Sequence, residues 1–193
     1  MTTTLFSREK GMKRFAALLI LVGGVQHFDA SAEVPYELRA AHSGKCAHVQ
    51  GASRSNGGRI SQWTCNADHA NRMDGAYKPF FKWQKIDRRG GWFKLQSVHS
   101  KKCAQVDQAS NANGAPITQW DCANQDNVYW KQQPAEHGTY FLVNKASGKC
   151  MHVSGGGHDN GAVITQWACV NQPNVKWKNS IRLAEPVGIP AND

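Results

Sequence analysis

The side chains best suited to chemistry in this chain come in threes. Six cysteines form pairs nineteen residues apart: Cys46 and Cys65, Cys103 and Cys122, Cys150 and Cys169. Paired thiols at fixed spacing either oxidise to disulfides or hold a metal. Two residues after each leading cysteine stands His48, Gln105 or His152, and two residues before each trailing one stands Trp63, Trp120 or Trp167, always preceded by Gln. An imidazole titrates near neutral pH and can donate or accept a hydrogen bond. An indole presents a flat, weakly electronegative face with few torsions to freeze.

Catalytic patterns are missing from the same inventory. No Ser, His and Asp arrangement recurs as a nucleophilic motif, and no glycine-rich phosphate loop follows a strand and opens a helix. The run Gly155-Gly156-Gly157 lies between two strand-like stretches and reads as a flexible loop. Isolated Asp and Glu residues occur, but no acid–base pair stands out among them. The reading is therefore of a protein that is not an enzyme and has no cofactor.

The elements that must position these residues are themselves repeated. Between the cysteines each copy carries a valine (Val49, Val106, Val153), an Asn-Gly dipeptide (Asn56-Gly57, Asn113-Gly114, Asn160-Gly161) and an isoleucine (Ile60, Ile117, Ile164) at constant offsets. One supersecondary unit written three times implies threefold pseudo-symmetry, with copies at about 36–86, 91–133 and 138–180. Each copy reads as four short strands. The first pairs an aromatic with a leucine on one face (Tyr36 and Leu38, Phe93 and Leu95, Tyr140 and Leu142). The second runs from the leading cysteine through the valine, and Asp107 continues the face that carries Gln105. Asn-Gly then makes the turn, since both residues tolerate positive φ. The third strand ends on Trp63, Trp120 or Trp167, turned from the core by alternation with the isoleucine. The fourth holds Phe81-Lys82-Trp83, Val128-Tyr129-Trp130 or Val175-Lys176-Trp177. With no helical periodicity to compete, the class is all-β with twelve strands. Trp83, Trp130 and Trp177, with Leu38, Leu95 and Leu142, are the expected shared core.

The ends of the chain bear on where this unit works. Residues 1–32 read as a signal peptide: basic residues to Arg14, an apolar run from Phe15 to Val25, and Ala30-Ser31-Ala32 as the cleavage site. The apolar run is too short to span a bilayer, and no later stretch approaches that length. The expected location is secreted or periplasmic. Residues 33–193 are the size of one domain, ending in a loose tail at 184–193. In an exported chain six cysteines argue for disulfides, and the repetition selects one internal bridge per copy. A zinc set such as Cys46-x-His48 or Cys150-x-His152 fits poorly, because the middle copy has Gln105 at that position. The whole chain carries +9, of which the signal holds four basic and two acidic residues, leaving about +7. These charges are spread over all copies without a basic run, so they read as solvated surface and not as a nucleic-acid footprint.

The order Gly44-Lys45-Cys46, Asn56-Gly57, Gln62-Trp63-Thr64-Cys65, repeated as Gly148-Lys149-Cys150 through Gln166-Trp167-Ala168-Cys169 to Asn174-Val175-Lys176-Trp177, resembles the ricin B-type lectin family. The resemblance covers Tyr36 to about Leu183. It implies a β-trefoil with up to three shallow, non-catalytic sugar pockets.

That family's pocket has three elements, and the resemblance places each one here. An aromatic just before the second cysteine stacks on a sugar's C–H face, which puts Trp63, Trp120 and Trp167 in that role. An Asn ahead of the terminal tryptophan bonds a sugar hydroxyl; Asn127 and Asn174 match, each followed by Val128 or Val175 where the family has Gln. In the first copy ten extra residues, roughly Ala67 to Pro79, hold Asn71 out of register, so closure or altered binding is expected there. An Asp two residues after the first cysteine fixes the sugar in the family, whereas here those residues are His48, Gln105 and His152, with Asp107 as a substitute in the middle copy. If His48 or His152 touches the ligand, affinity should change between pH 5 and 7.5. The third copy, with His152, Trp167 and Asn174 at uninterrupted spacing, is the favoured site. The reading is a lectin whose partners are glycans or polysaccharide. The alternative is a non-catalytic trefoil that binds a protein partner, as a toxin accessory subunit or an inhibitor would.

Overall fold

A computed structural model describes residues 34–65 and 79–180, all within the unit Glu33–Asp193. The expected signal peptide, Asn71 with most of the interruption around it, and the tail at 184–193 lie outside the described residues. Twelve strands are present among the described residues: β1 Tyr36–Ala40, β2 Cys46–Val49, β3 Ile60–Trp63, β4 Lys82–Arg89, β5 Trp92–Ser97, β6 Cys103–Val106, β7 Ile117–Trp120, β8 Tyr129–Pro134, β9 Tyr140–Asn144, β10 Cys150–Val153, β11 Ile164–Trp167 and β12 Trp177–Ser180. No helix in this region is long and apolar enough to cross a membrane.

Six strands close on themselves. β1 pairs β4, β4 pairs β5, β5 pairs β8, β8 pairs β9, β9 pairs β12, and β12 returns to β1, all antiparallel. Closure leaves this barrel no free edge. The other six form three hairpins in one register: Cys46 faces Trp63, Cys103 faces Trp120 and Cys150 faces Trp167. Each hairpin reverses at its Asn-Gly dipeptide, with Gly57, Gly114 and Gly161 at φ of 81°, 82° and 87°, a region open to glycine at little cost. A six-stranded barrel capped by three hairpins is a β-trefoil.

The barrel is filled as the repeats require. Trp83, Trp130 and Trp177 are fully buried and packed with Leu38, Leu95 and Leu142. Their indole N–H groups are satisfied in threefold fashion, donating to the carbonyls of Ala47, Ala104 and Met151 at 2.9 Å each. One disulfide closes each copy, Cys46–Cys65, Cys103–Cys122 and Cys150–Cys169, with Cα atoms 5.0 Å apart in every case.

Three details differ from expectation. Phe81, Val128 and Val175 end 3-10 turns, so the tryptophan opens the fourth strand instead of closing it. The second strand is buried on both faces, because the hairpin covers the face that carries the cysteine and His48, Gln105 or His152. Asp107 lies past the end of β6, as the first residue of the 3-10 turn Asp107–Ala109. The matching turn in the third copy, Ser154–Gly156, takes in the first two glycines of Gly155-Gly156-Gly157.

The glutamine before each exposed tryptophan ties the hairpins to one another. Gln119 is completely buried; its Nε2 donates to the carbonyls of Ser53 and Ser55 in the first copy at 2.9 and 2.8 Å, and its Oε1 accepts from the Ser100 hydroxyl at 2.6 Å. Gln166 reaches Ser110 and Ala112 of the second copy in the same way, and Gln62 reaches Gly157 and Asp159 of the third. Each copy therefore grips its predecessor, and the first grips the last.

Candidate functional site

Trp63, Trp120 and Trp167 end the third strands with 43%, 43% and 42% of their surface exposed, unusual for the largest side chain in a well-packed domain. Each indole rests its edge on the turn of the preceding copy: a Cβ at Gly57, Gly114 or Gly161 would stand 4.0, 3.9 and 4.0 Å from Cζ3 of Trp120, Trp167 and Trp63 respectively. A side chain in place of that glycine would crowd the indole.

In the second copy the predicted residues converge. Gln105, Asp107, Trp120 and Asn127 line one cleft of about 430 Å³, joined by Gln108, Ala109 and Gln125. The polar groups are ordered by a short chain of bonds. Asn127 Nδ2 donates to Gln105 Oε1 at 3.2 Å and to the Val106 carbonyl at 3.0 Å, Gln105 Nε2 donates to Thr118 Oγ1 at 3.5 Å, and the Thr118 hydroxyl donates to Asp107 Oδ1 at 3.3 Å. That pattern leaves Asn127 Oδ1 buried without a donor among the described residues, an acceptor held at the base of the cleft. Gln108 and Ala109 both sit at φ of 50°, where the first and third copies have Gly51 and Gly155 at the Gln108 position. A non-glycine residue held there costs on the order of 1 kcal/mol, and such strain gathers at functional surfaces.

The third copy keeps the framework with less polar lining. Trp167 lies 5.6 Å from the His152 ring at a 34° tilt, and Asn174 Nδ2 donates to the Val153 carbonyl at 3.0 Å, just as Asn127 does to Val106. His152 is only 6% exposed, and its Nδ1 accepts from the Thr165 hydroxyl at 2.9 Å.

The first copy departs further. His48 is 8% exposed, with Nε2 3.1 Å from Ser61 Oγ, and its ring packs 5.7 Å from Trp63 and 5.3 Å from Phe81. Three residues before Trp83, where the other copies carry Asn127 and Asn174, stands Phe80, its ring 4.9 Å from Phe81. This site is aromatic and has no amide in that place.

Burial decides the state of both histidines. It pushes His48 down to about 4 against a backbone hydrogen bond at Val49, and it lowers His152 against one at Thr165. His48 is therefore neutral across pH 5 to 7.5, and its titration falls below the window expected from an ordinary imidazole.

Sequence reasoning missed Gln108, Gln125 and Phe80. Gln125-Asp126-Asn127 and Gln172-Pro173-Asn174 share a Gln two residues before the Asn, and Phe80 shares the three-residue offset from the terminal tryptophan. Both regularities are written in the chain.

An exposed indole beside a carboxylate and an unpaired amide oxygen suits a ring with one C–H face and several hydroxyl donors. The family model for the ricin-type beta-trefoil lectin domain-like proteins matches residues 25–73, 81–167 and 132–187. No curated protein matches the chain in sequence. Among solved structures, the designed threefold-symmetric protein ThreeFoil is 30% identical with a TM-score of 0.68, over 75% of this chain and 96% of that one. The exo-beta-1,3-galactanase 1,3Gal43A of Clostridium thermocellum is 26% identical with a TM-score of 0.69, and the match spans 77% of this chain but 30% of the galactanase. The Rhizoctonia solani agglutinin shares the fold at 15% identity and a TM-score of 0.63, over 75% of this chain and 92% of the agglutinin. On the match across all three copies, the chain belongs to the ricin-type beta-trefoil lectin domain-like family.

Proposed function

We propose that this protein is a secreted or periplasmic lectin that does no catalysis and holds glycans by stacking them on the exposed tryptophans. Membership of the lectin-domain family supports carbohydrate binding in general. The observation that carries the finer reading is the second-copy cleft, where Trp120, Asp107, Gln105 and Asn127 meet around about 430 Å³. Trp120 takes the C–H face of a sugar ring. Asp107 and Asn127 Oδ1 accept from its hydroxyls, the carboxylate with charge-assisted bonds. Sequence spacing alone favours the third copy; the carboxylate and the strained Gln108 rank the second ahead, with Trp167, His152 and Asn174 as a further, weaker site.

The test is a glycan array on the intact protein, followed by titration of the best neutral oligosaccharide. Trp120→Ala should weaken binding at least about tenfold and Asp107→Asn several-fold, each with an unchanged unfolding midpoint, in line with about 1–2 kcal/mol for an aromatic or charged contact. Phe80 at the amide position of the first copy favours a second reading for that copy alone, an aromatic contact for a protein partner. A blank array over neutral and acidic glycans would extend that reading to the whole molecule.

A further inference from the structure

The threefold pattern breaks in a chemically coherent way at the barrel strands that join the first and second copies. Two residues after the core tryptophans stand Lys85, Gln132 and Asn179; five residues after Trp83 stands Arg88, where the next junction has Ala135; nine residues after Trp83 stands Trp92, where the next junction has Thr139. Three positions have changed together, to two cations and an indole.

These residues surround one recess. Lys85, Arg88, Gly91, Trp92, Phe93 and Gln132 line a volume of about 270 Å³ on strands β4, β5 and β8, and no carboxylate is among them. Lys85 Nζ donates to Gln132 Oε1 at 2.7 Å and lies 4.9 Å from the centre of the Phe93 ring, which fixes the ammonium at the floor. Lys131 Nζ lies 5.7 Å from the centre of the Trp92 ring, a third positive charge beside the indole. Gly91, at φ of 81°, keeps the hairpin turn tight, and a Cβ there would stand 3.6 Å from Cε of Lys131. None of the tryptophan-cleft residues takes part.

We propose that this recess is a second, separate ligand site, which takes a single sugar residue bearing an anionic group, carboxylate or sulfate. The volume lies just under the roughly 300 Å³ at which drug-sized pockets begin, so it suits one monosaccharide unit and not a chain. The Arg88 guanidinium offers a planar fork to the anion and Lys85 a point charge beneath it. Trp92 supplies the flat surface for the ring's C–H groups. The second-copy cleft, which contains Asp107, has the opposite charge preference. The two sites therefore sort glycans by charge, and the recess does not depend on the reading of the clefts.

The experiment titrates the intact protein with a galacturonic acid disaccharide, a sulfated galactose disaccharide and their neutral counterpart at moderate salt. Expected is binding of at least one anionic disaccharide, weakened about tenfold or more by Arg88→Gln and by Trp92→Ala and unchanged by Trp120→Ala; which anion binds names the source. Arg88 is exposed, so that variant keeps its fold, and Trp92→Phe should retain partial binding where Trp92→Ala does not. No binding of either anion overturns the site. So does anion binding that Trp92→Ala leaves untouched, which would mark a diffuse basic surface, or anion binding that Trp120→Ala abolishes, which would put the ligand in the cleft. Loss of neutral-sugar binding with Trp120→Ala reports on the clefts alone, so the two readings fail separately.

Discussion

At the scale of the residue, position and burial divide the candidate side chains into those that meet solvent and those that brace them. Trp120 and its two counterparts were legible because an isoleucine three residues earlier fixes the strand face and the cysteine fixes the register. His48 and His152 were legible as positions but not as environments. Nothing in a Cys-x-His pattern reveals that a facing strand will bury the ring and give it a Ser or Thr hydroxyl. The consequence is a pH dependence of stability more than of binding. His48 is held near 4 in the fold against about 6.5 unfolded, so the folded state carries fewer protons between those values. Its contribution is present above pH 6.5 and is lost as pH falls toward 4. Thermal unfolding followed from pH 7 to pH 4 should show a falling midpoint, by the equivalent of up to about 3 kcal/mol, and His48→Gln should flatten that slope. An unchanged slope in the variant would show that another group carries it. Asp87 works the other way: Lys94 at 2.8 Å and the Tyr129 hydroxyl at 2.6 Å hold its carboxyl far below the usual range, so it stays charged throughout that interval.

At the scale of the element, the hairpins owe their placement to a side chain the sequence disguised. A glutamine next to an exposed tryptophan reads as surface, and only the neighbouring copy's loop, far away in sequence, shows that Gln62, Gln119 and Gln166 are completely buried. Sequence periodicity reports what alternates along one strand, and it is silent on which loop arrives from elsewhere to bond an amide. Gln119→Ala strands the carbonyls of Ser53 and Ser55 together with the Ser100 hydroxyl, and chemical denaturation should register a loss of about 2–4 kcal/mol. Because Trp120 sits on the same strand, sugar affinity should fall with it, although Gln119 touches no ligand. The disulfides act on the same hairpins through the unfolded chain. Replacing Cys103 and Cys122 by serine opens a loop of nineteen residues and should cost about 3 kcal/mol, measured by the same denaturation. Equal losses from all three pairs are expected, since the three loops have one length.

At the scale of the whole molecule, repetition here differs from repetition in a stacked solenoid, whose end units touch one neighbour and can fray. Each copy grips the one before it, and the barrel strands return β12 to β1 through Glu37 opposite Ser180 and Ala40 opposite Trp177. Unfolding should therefore be a single transition, with tryptophan fluorescence and far-ultraviolet dichroism losing signal at one midpoint; separated midpoints would mean that a copy opens by itself. The fold class was legible because three equal cysteine spacings leave little else to propose. The ranking of the sites was not, because it depends on which turn carries a strained glutamine and which neighbour supplies an aromatic in place of an amide. Cyclic gripping also makes the order of the copies along the chain arbitrary to the finished molecule. With the paired ends of β1 and β12 tethered and the backbone reopened at Gly90-Gly91, a gene that starts in its second copy should still produce the same ring.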